Sequence, residues 1–392
     1  MVIREKYLED IRGFYESDLI KIITGVRRSG KSVILEQVMN EIRQKTDNVV
    51  SLDFDDRATT AKITKWEDIV DWIISHRTEG LCYVFLDEVQ EIPDWHLACR
   101  SLRRQNCSVF VTGSNSKLLS GEFTKELSGR YVSFRVRPFV YRELQQYAHE
   151  LGREISVMDY LVWGGFPKRA EFTSEKNLRR YLNDLDETIV MNDIIKRYKI
   201  RKADTFRRVA NFVLVSNARK CSAKSIADYM TGNGERIGAN TVQKWISYLE
   251  EAYVIDSLPT FSRKARKKLN QSDKLYDCDP ALNSIRCQDG RYDLTHNLEN
   301  VIYNELVYLG YSVFVYDNNG REVDFLAEKD GKKTYIQVSW SVVDEKTWKR
   351  EFSAFETLTQ IDRKLIITND DLDYSTSNVT HIKLGDFLKY GC

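Results

Sequence analysis

The sequence predicts an α/β protein: an open parallel sheet built around a phosphate-binding loop, followed by a helical region and a second, smaller α/β domain. Three observations carry this. A short β-rich run, LIKIIT, leads into GVRRSGKS (Gly25 to Ser32) and then into the amphipathic helix VILEQVMNEIRQ. A continuous apolar run, LCYVFL, ends in Asp87-Glu88, as expected of a buried parallel strand. The last hundred residues alternate helix and strand patterns with hairpin turns.

The first element is G-x-x-x-x-G-K-S in the context it needs: strand, glycine loop, helix. Glycines let backbone N–H groups turn inward around a β-phosphate, and the following helix N-terminus adds partial positive charge. Gly25, Arg28, Ser29, Gly30, Lys31, Ser32 and Val33 are the candidate nucleotide contacts. Lys31 is placed to reach the β- and γ-phosphates of ATP, and Ser32 to ligate Mg²⁺. The next strand is Leu52–Phe54, after NVVS, and Trp66–Ser75 supplies a helix. Then comes LCYVFL, where Asp87 is the candidate to hold Mg²⁺ through water and Glu88 the candidate to polarise the attacking water. Strand C-terminal ends are where α/β sheets place ligands.

SVFVT (Ser108–Thr112) is the fourth strand, running into Gly113-Ser114-Asn115-Ser116. A polar residue here senses the γ-phosphate; Ser114 and Asn115 both qualify, and the sequence does not choose. SGRYVSFRVRPF follows, with Arg130 before a fifth strand as candidate arginine finger toward a neighbouring subunit. Arg135 and Arg137 compete for that role.

The series GVRRSGKS, VFLDEVQ, VTGSNS, SGRY…RPF resembles the AAA+-type P-loop ATPases, specifically a prokaryotic group whose motor carries a C-terminal domain of unknown function. The resemblance implies an AAA+/RecA-like sheet, ATP and Mg²⁺ as cofactors, and a homo-oligomer such as a hexameric ring. WGGFPKRA resembles the Gly-x-Pro motif of related switch-type and initiator ATPases, which makes Gly165 and Pro167 candidates beside the adenine.

Residues 1–140 are thus read as the ATPase core and 141–200 as a helical lid. Residues 201–285 read as a winged helix: DTFRRVANFVLVSN, SAKSIADYM with Ser222 as N-cap, GANTVQKWISYLEEAYVI, then LPTFSRKARKKLNQSDKLYDCD as the β-wing. In a groove-reading role the third helix would present Asn240, Gln243 and Lys244 to DNA. Basic residues cluster from Lys196 to Arg208, and Arg263, Lys264, Arg266, Lys267 and Lys268 crowd the wing, a pattern that suits phosphates.

Residues 286–392 give helix, strand, strand, strand, helix, strand, with DNNG and EKDG as hairpin turns. This order resembles the PD-(D/E)xK nuclease fold. Glu299 matches the helical Glu and Asp324 the strand Asp, but Gln337-Val338-Ser339 replaces Glu-x-Lys. A ligand charge and the lysine cation are gone, so the resemblance implies a catalytically degenerate site at Glu299, Asp324 and Gln337.

Composition bounds the rest. In 392 residues, 59 Lys plus Arg nearly balance 58 Asp plus Glu, which argues against a globally basic coat protein. With only 5 Pro and 19 Gly, and 42% hydrophobic residues, the chain is neither collagen-like nor disordered. Seven cysteines without a Cys-x-x-Cys pair read as free thiols in a cytoplasmic protein. The expected work is ATP hydrolysis coupled to DNA, branched DNA included. The competing expectations are an ATP-controlled switch for a protein partner, of defence or toxin–antitoxin type, and an ATP-gated nuclease. No membrane span is expected.

Overall fold

The structure, a computed structural model, describes residues 2–56, 58, 61–114, 127, 129–262, 273–287, 290–318, 321–356, 358–359 and 361–391. The chain divides into two compact units, Met1–Pro138 with Glu251–Tyr253, and Phe139–Glu250 with Val254–Cys392.

The first unit runs α1 (Glu5–Arg12), β1 (Ile20–Thr24), α2 (Lys31–Arg43), β2 (Val49–Asp53), α3 (Trp66–His76), β3 (Cys82–Asp87), α4 (Trp95–Arg104), β4 (Cys107–Gly113) and β5 (Tyr131–Arg135). Its strands form one sheet in the order β2-β3-β4-β1-β5. Every pairing is parallel. Helices on both faces bury the strands, so β1 and β4 are buried along their whole length and β3 up to Asp87. Ile20, Val84, Leu86, Val109 and Val111 share a core with Ile69 and Ile73 of α3 and Ala98 and Leu102 of α4. The order puts β4 between β1 and β3. The loop after β1 and the acidic end of β3 therefore face each other across the end of one strand.

The second unit opens with α5 (Tyr141–Glu150), α6 (Val157–Trp163) and α7 (Glu175–Thr188), which continues into a π-helical stretch, Ile189–Lys196. Next come α8 (Ala203–Val215), β6 (Arg219–Lys220), α9 (Ala223–Gly232), α10 (Ala239–Glu251), β7 (Ile255–Leu258), β8 (Thr260–Ser262) and β9 (Lys274–Asp277). Ser222 caps α9, its hydroxyl accepting the Ser225 N–H at 3.0 Å. Strands β6, β9 and β7 form a small antiparallel sheet in that order.

The chain ends with α11 (Ala281–Ser284), α12 (Leu294–Tyr308), β10 (Ser312–Asn318), β11 (Arg321–Lys329), β12 (Lys332–Val338), α13 (Glu345–Ser353), β13 (Arg363–Thr368), β14 (Thr380–Lys383) and α14 (Leu384–Tyr390). The sheet order is β14-β13-β12-β11-β10-β8. The EKDG turn is a two-residue hairpin with Lys329 opposite Lys332. Asp330 and Gly331 both take positive φ, 51° and 72°.

One expectation is corrected. The stretch LPTFSRKARKKLNQSDKLYDCD reads as one β-wing, but of its strands only β9 stays in the small sheet, beside β7, and β8 leaves it. Pro259 has no N–H to continue that ladder. Past it, β8 pairs in parallel with β10, Phe261 opposite Tyr316. Phe261 then packs against the C-terminal core of Tyr316, Leu326 and Tyr335.

Candidate nucleotide-binding site

The loop after β1 is held from below. Gly25 has φ 147°, and a Cβ there would overlap the Val136 carbonyl oxygen, so only glycine lets the loop leave the sheet at this point. Arg28 takes the left-handed conformation, φ 65°, two residues ahead of Gly30, the N-cap position of α2. The wholly buried Arg4 donates from Nη1 to the Ser29 carbonyl at 2.9 Å and lies over the Tyr7 ring. Arg4 was missed in the sequence, since nothing local marks an arginine four residues into the chain as a loop support.

Lys31 is buried and donates to the Val26 carbonyl at 3.2 Å, with its Nζ 3.9 Å from Glu88 Oε1. Ser32 is exposed at the helix start and Val33 half-buried beside it. Asp87, at the end of β3, receives hydrogen bonds from the Thr112 and Ser32 hydroxyls. Burial raises its pKa above the ordinary carboxylate value, against those hydroxyls, and the charges of Glu88 and Asp53 push the same way. Glu88 sits in the left-handed region at φ 49°, so the chain turns sharply past β3. Its Oε2 accepts from the Gln90 amide. Its own N–H donates to Thr112 Oγ1 at 2.9 Å. Thr112 thus ties both acidic residues to β4, a role that the strand-end Thr of SVFVT signals only once β4 is known to neighbour β3.

Ser29 and Ser114 each carry a buried hydroxyl with no hydrogen-bond partner among the described residues. Unpaired buried hydroxyls are costly, and a ligand's oxygens would satisfy them. Lys31, the two free hydroxyls and an exposed Ser32 bonded to Asp87 suit a triphosphate carrying a hard divalent cation. Asn115 lies outside the described residues. Arg130 is half-buried, its carbonyl accepting the Ile20 N–H at 2.9 Å. Arg137 is buried, with its backbone N–H on the Tyr7 hydroxyl. Arg135 lies over the Tyr253 ring.

In the second unit, Gly165 is buried and Pro167 begins a short 3₁₀ turn, Pro167–Glu171. Gly165 donates its N–H to Asp279 Oδ2 at 2.6 Å, and its carbonyl accepts the Phe139 N–H at 2.8 Å. A Cβ at Gly164 would overlap the Asp279 carboxylate, and one at Gly165 the Phe139 carbonyl. These contacts account for both glycines of WGGFP within the unit.

Asn240, Gln243 and Lys244 are exposed along α10. Arg263, Lys264, Arg266, Lys267 and Lys268 lie outside the described residues. The basic run from Lys196 to Arg208 is partly neutralised: Arg207 and Arg208, inside α8, pair with Glu187 and Glu235.

In the last domain, Glu299 of α12 and Asp324 of β11 meet at Lys274 of β9, whose Nζ lies 2.6 Å from Glu299 Oε1 and 3.3 Å from Asp324 Oδ1. Gln337 is close by but its amide is already engaged, accepting the Asp324 N–H at 3.3 Å and donating to Glu351 at 2.7 Å. Lys274 was missed because it comes from a strand fifty residues before Asp324.

Comparisons with known proteins agree with this geometry at the level of the fold. Residues 17–145 match a family model described as an AAA domain (AAA_14). Residues 154–286 and 295–387 match two domains of unknown function, DUF8612 and DUF4143. An uncharacterized protein of Haemophilus influenzae is 28% identical over 353 residues, 87% of this chain and 88% of its own. One of Methanocaldococcus jannaschii is 28% identical over 378 residues, 90% of this chain and 82% of its own. The Walker-type ATPase PABY2304 of Pyrococcus abyssi superposes with a TM-score of 0.51 at 16% identity, covering 73% of this chain and 96% of that one. The chain is therefore a mixed α/β protein with a P-loop ATPase fold in its first unit and a further sheet domain at its C-terminal end. Among the described residues no helix is long and apolar enough to cross a membrane.

Proposed function

We propose that this chain is a Mg²⁺-dependent ATP hydrolase of AAA+ type that works on DNA. The observation that carries the hydrolytic reading is Glu88. It stands one residue past Asp87, turned out of the strand by a left-handed backbone and 3.9 Å from the Lys31 ammonium.

The residues divide the labour. Backbone N–H groups from Gly25 to Ser32 hold the β-phosphate at the start of α2. Lys31 leaves its resting contacts to bind the β- and γ-phosphate oxygens. Ser32 directly, and Asp87 through water, would hold Mg²⁺, which supplies charge neutralisation at those oxygens when bound. Glu88, held by Gln90 and by the Thr112 anchor on its N–H, orients and polarises the attacking water. Ser114 supplies a hydroxyl near the end of β4 for the γ-phosphate. Arg130 serves in trans from a neighbouring subunit, which makes a ring such as a hexamer the working form.

For the DNA role, the order α8, β6, α9, α10, β7, β9 supports a winged-helix reading, with α10 presenting Asn240, Gln243 and Lys244. Steady-state ATP hydrolysis with Mg²⁺, without polymer and then with single-stranded, duplex and four-way-junction DNA, tests the proposal beside a Lys31→Ala control. Stimulation by one DNA form supports the motor. Robust hydrolysis indifferent to every DNA form points to a switch governed by a protein partner.

A further inference from the structure

The strongest feature outside the nucleotide site is the buried charge cluster of the C-terminal domain. Its frame is the one a metal-dependent nuclease would use: a helical carboxylate, Glu299, and a carboxylate, Asp324, on β11, an inner strand of the six-stranded sheet. The centre of that frame holds a side chain. Lys274 Nζ lies 2.6 Å from Glu299 Oε1, 3.0 Å from Glu322 Oε1 and 3.3 Å from Asp324 Oδ1. Lys274 and Asp324 are buried.

Other groups of the protein engage the same carboxylates and Gln337. Asp324 Oδ2 accepts the Val338 N–H at 2.9 Å. Tyr276 donates its hydroxyl to Glu299 Oε1 at 2.6 Å. The second oxygen of Glu322 pairs with Lys220. Gln337 spans Asp324 and Glu351 with both ends of its amide. A Mg²⁺ ion needs oxygens at about 2.0–2.1 Å in octahedral array and keeps several waters. The donor set here converges on an ammonium, at ammonium distances. The residues do not fit a bound metal.

We propose that the Lys274 ammonium permanently replaces the divalent cation of this domain, a built-in cation delivered from β9 of the small antiparallel sheet. The carboxylates stay because the lysine needs them: three carboxylates this close without a cation would repel, and a buried ammonium without them would lose its charge. The cluster thereby fastens the small sheet to the C-terminal sheet, and the domain needs no Mg²⁺ to hold its shape. This inference is independent of the ATP reading, since it concerns no residue of the nucleotide loop.

The test uses the full chain, stripped of nucleotide and metal, with Mn²⁺ as probe followed by electron paramagnetic resonance and by melting temperature. Wild type should show no Mn²⁺ binding that depends on Asp324, and no Mn²⁺-dependent rise in Tm. Lys274→Met should gain a Mn²⁺ site and a Tm that climbs with Mn²⁺, and both gains should vanish in Lys274→Met/Asp324→Asn. Wild-type Mn²⁺ binding lost in Asp324→Asn would overturn the proposal, as would a folded Lys274→Met protein that takes up no Mn²⁺. If Lys274→Met does not fold, the wild-type and Asp324→Asn comparison decides alone.

Discussion

Lys31 and Glu88 face each other across 3.9 Å, both largely shielded from solvent. The pair is a resting contact between opposite charges that a triphosphate must open, because Lys31 cannot serve both Glu88 and a γ-phosphate oxygen. Glu88→Gln keeps the shape but removes the charge that polarises water. It should bind ATP as well as wild type and hydrolyse it about 10²–10⁴-fold more slowly. Lys31→Ala should lose both binding and turnover. Equilibrium binding of a labelled ATP analogue beside phosphate release separates the two. Wild-type turnover from the Glu88→Gln protein would remove the assigned role.

Thr112 offers a subtler lesion. Thr112→Val preserves volume but leaves the Glu88 N–H without its acceptor and Asp87 with only the Ser32 hydroxyl of its two donors. An unsatisfied buried donor costs about 1–3 kcal/mol. The turn that aims Glu88 should loosen, so kcat should fall with little change in KM for ATP. Steady-state kinetics at saturating Mg²⁺ would show it. A variant that loses KM and keeps kcat would mean Thr112 serves binding instead.

Much of this was legible because chemistry there is local in sequence. Gly25 to Ser32 and Asp87-Glu88 are contiguous, and the apolar run before Asp87 can only be a buried strand. What was not legible depends on sheet order. Thr112 matters because β4 lies beside β3, and Lys274 because β9 lies against α12 and β11. Gly165 of WGGFP reads, with Pro167, as a nucleotide contact; within its own unit, the Phe139 carbonyl and the Asp279 carboxylate already require a glycine there and at Gly164. The wing was misjudged at Pro259, where a missing N–H hands the next strand to a different sheet.

The exposed face of α10 carries the DNA prediction. Lys244 is exposed, its ammonium 5.9 Å from the Tyr248 ring centroid. If it neutralises one phosphate, Lys244→Ala should reduce the slope of log affinity against log salt by about 0.9 on duplex DNA. Asn240→Ala and Gln243→Ala should leave that slope alone and change preference among sequences. Fluorescence anisotropy across a salt series measures both. A slope unchanged by Lys244→Ala would take α10 off the DNA.

Asp279 sets a pH dependence whose sign can be worked out. Its carboxylate is wholly buried against the Gly165 and Ala281 N–H groups. Burial pushes its pKa from 3.8 up to about 7, and the hydrogen bonds and Arg169 only partly oppose this. In the unfolded chain the group loses its proton near 3.8; in the folded chain it holds the proton until about 7. Between those values the folded state binds the extra proton, so the stability Asp279 contributes is full below the lower value and drains away as pH rises. Above about 7 the loss is complete and the contribution is flat. Buried Glu299 is likewise raised to about 7 and adds a slope of the same sign, so wild type alone does not isolate Asp279. Asp279→Asn cannot titrate. The stability difference between wild type and Asp279→Asn should therefore shift against wild type from pH 4 to pH 7 and stay constant above it. Urea unfolding of the two proteins across that range measures the difference directly, and a difference that grows in favour of wild type as pH rises would mean the carboxylate is ionised in the folded state throughout.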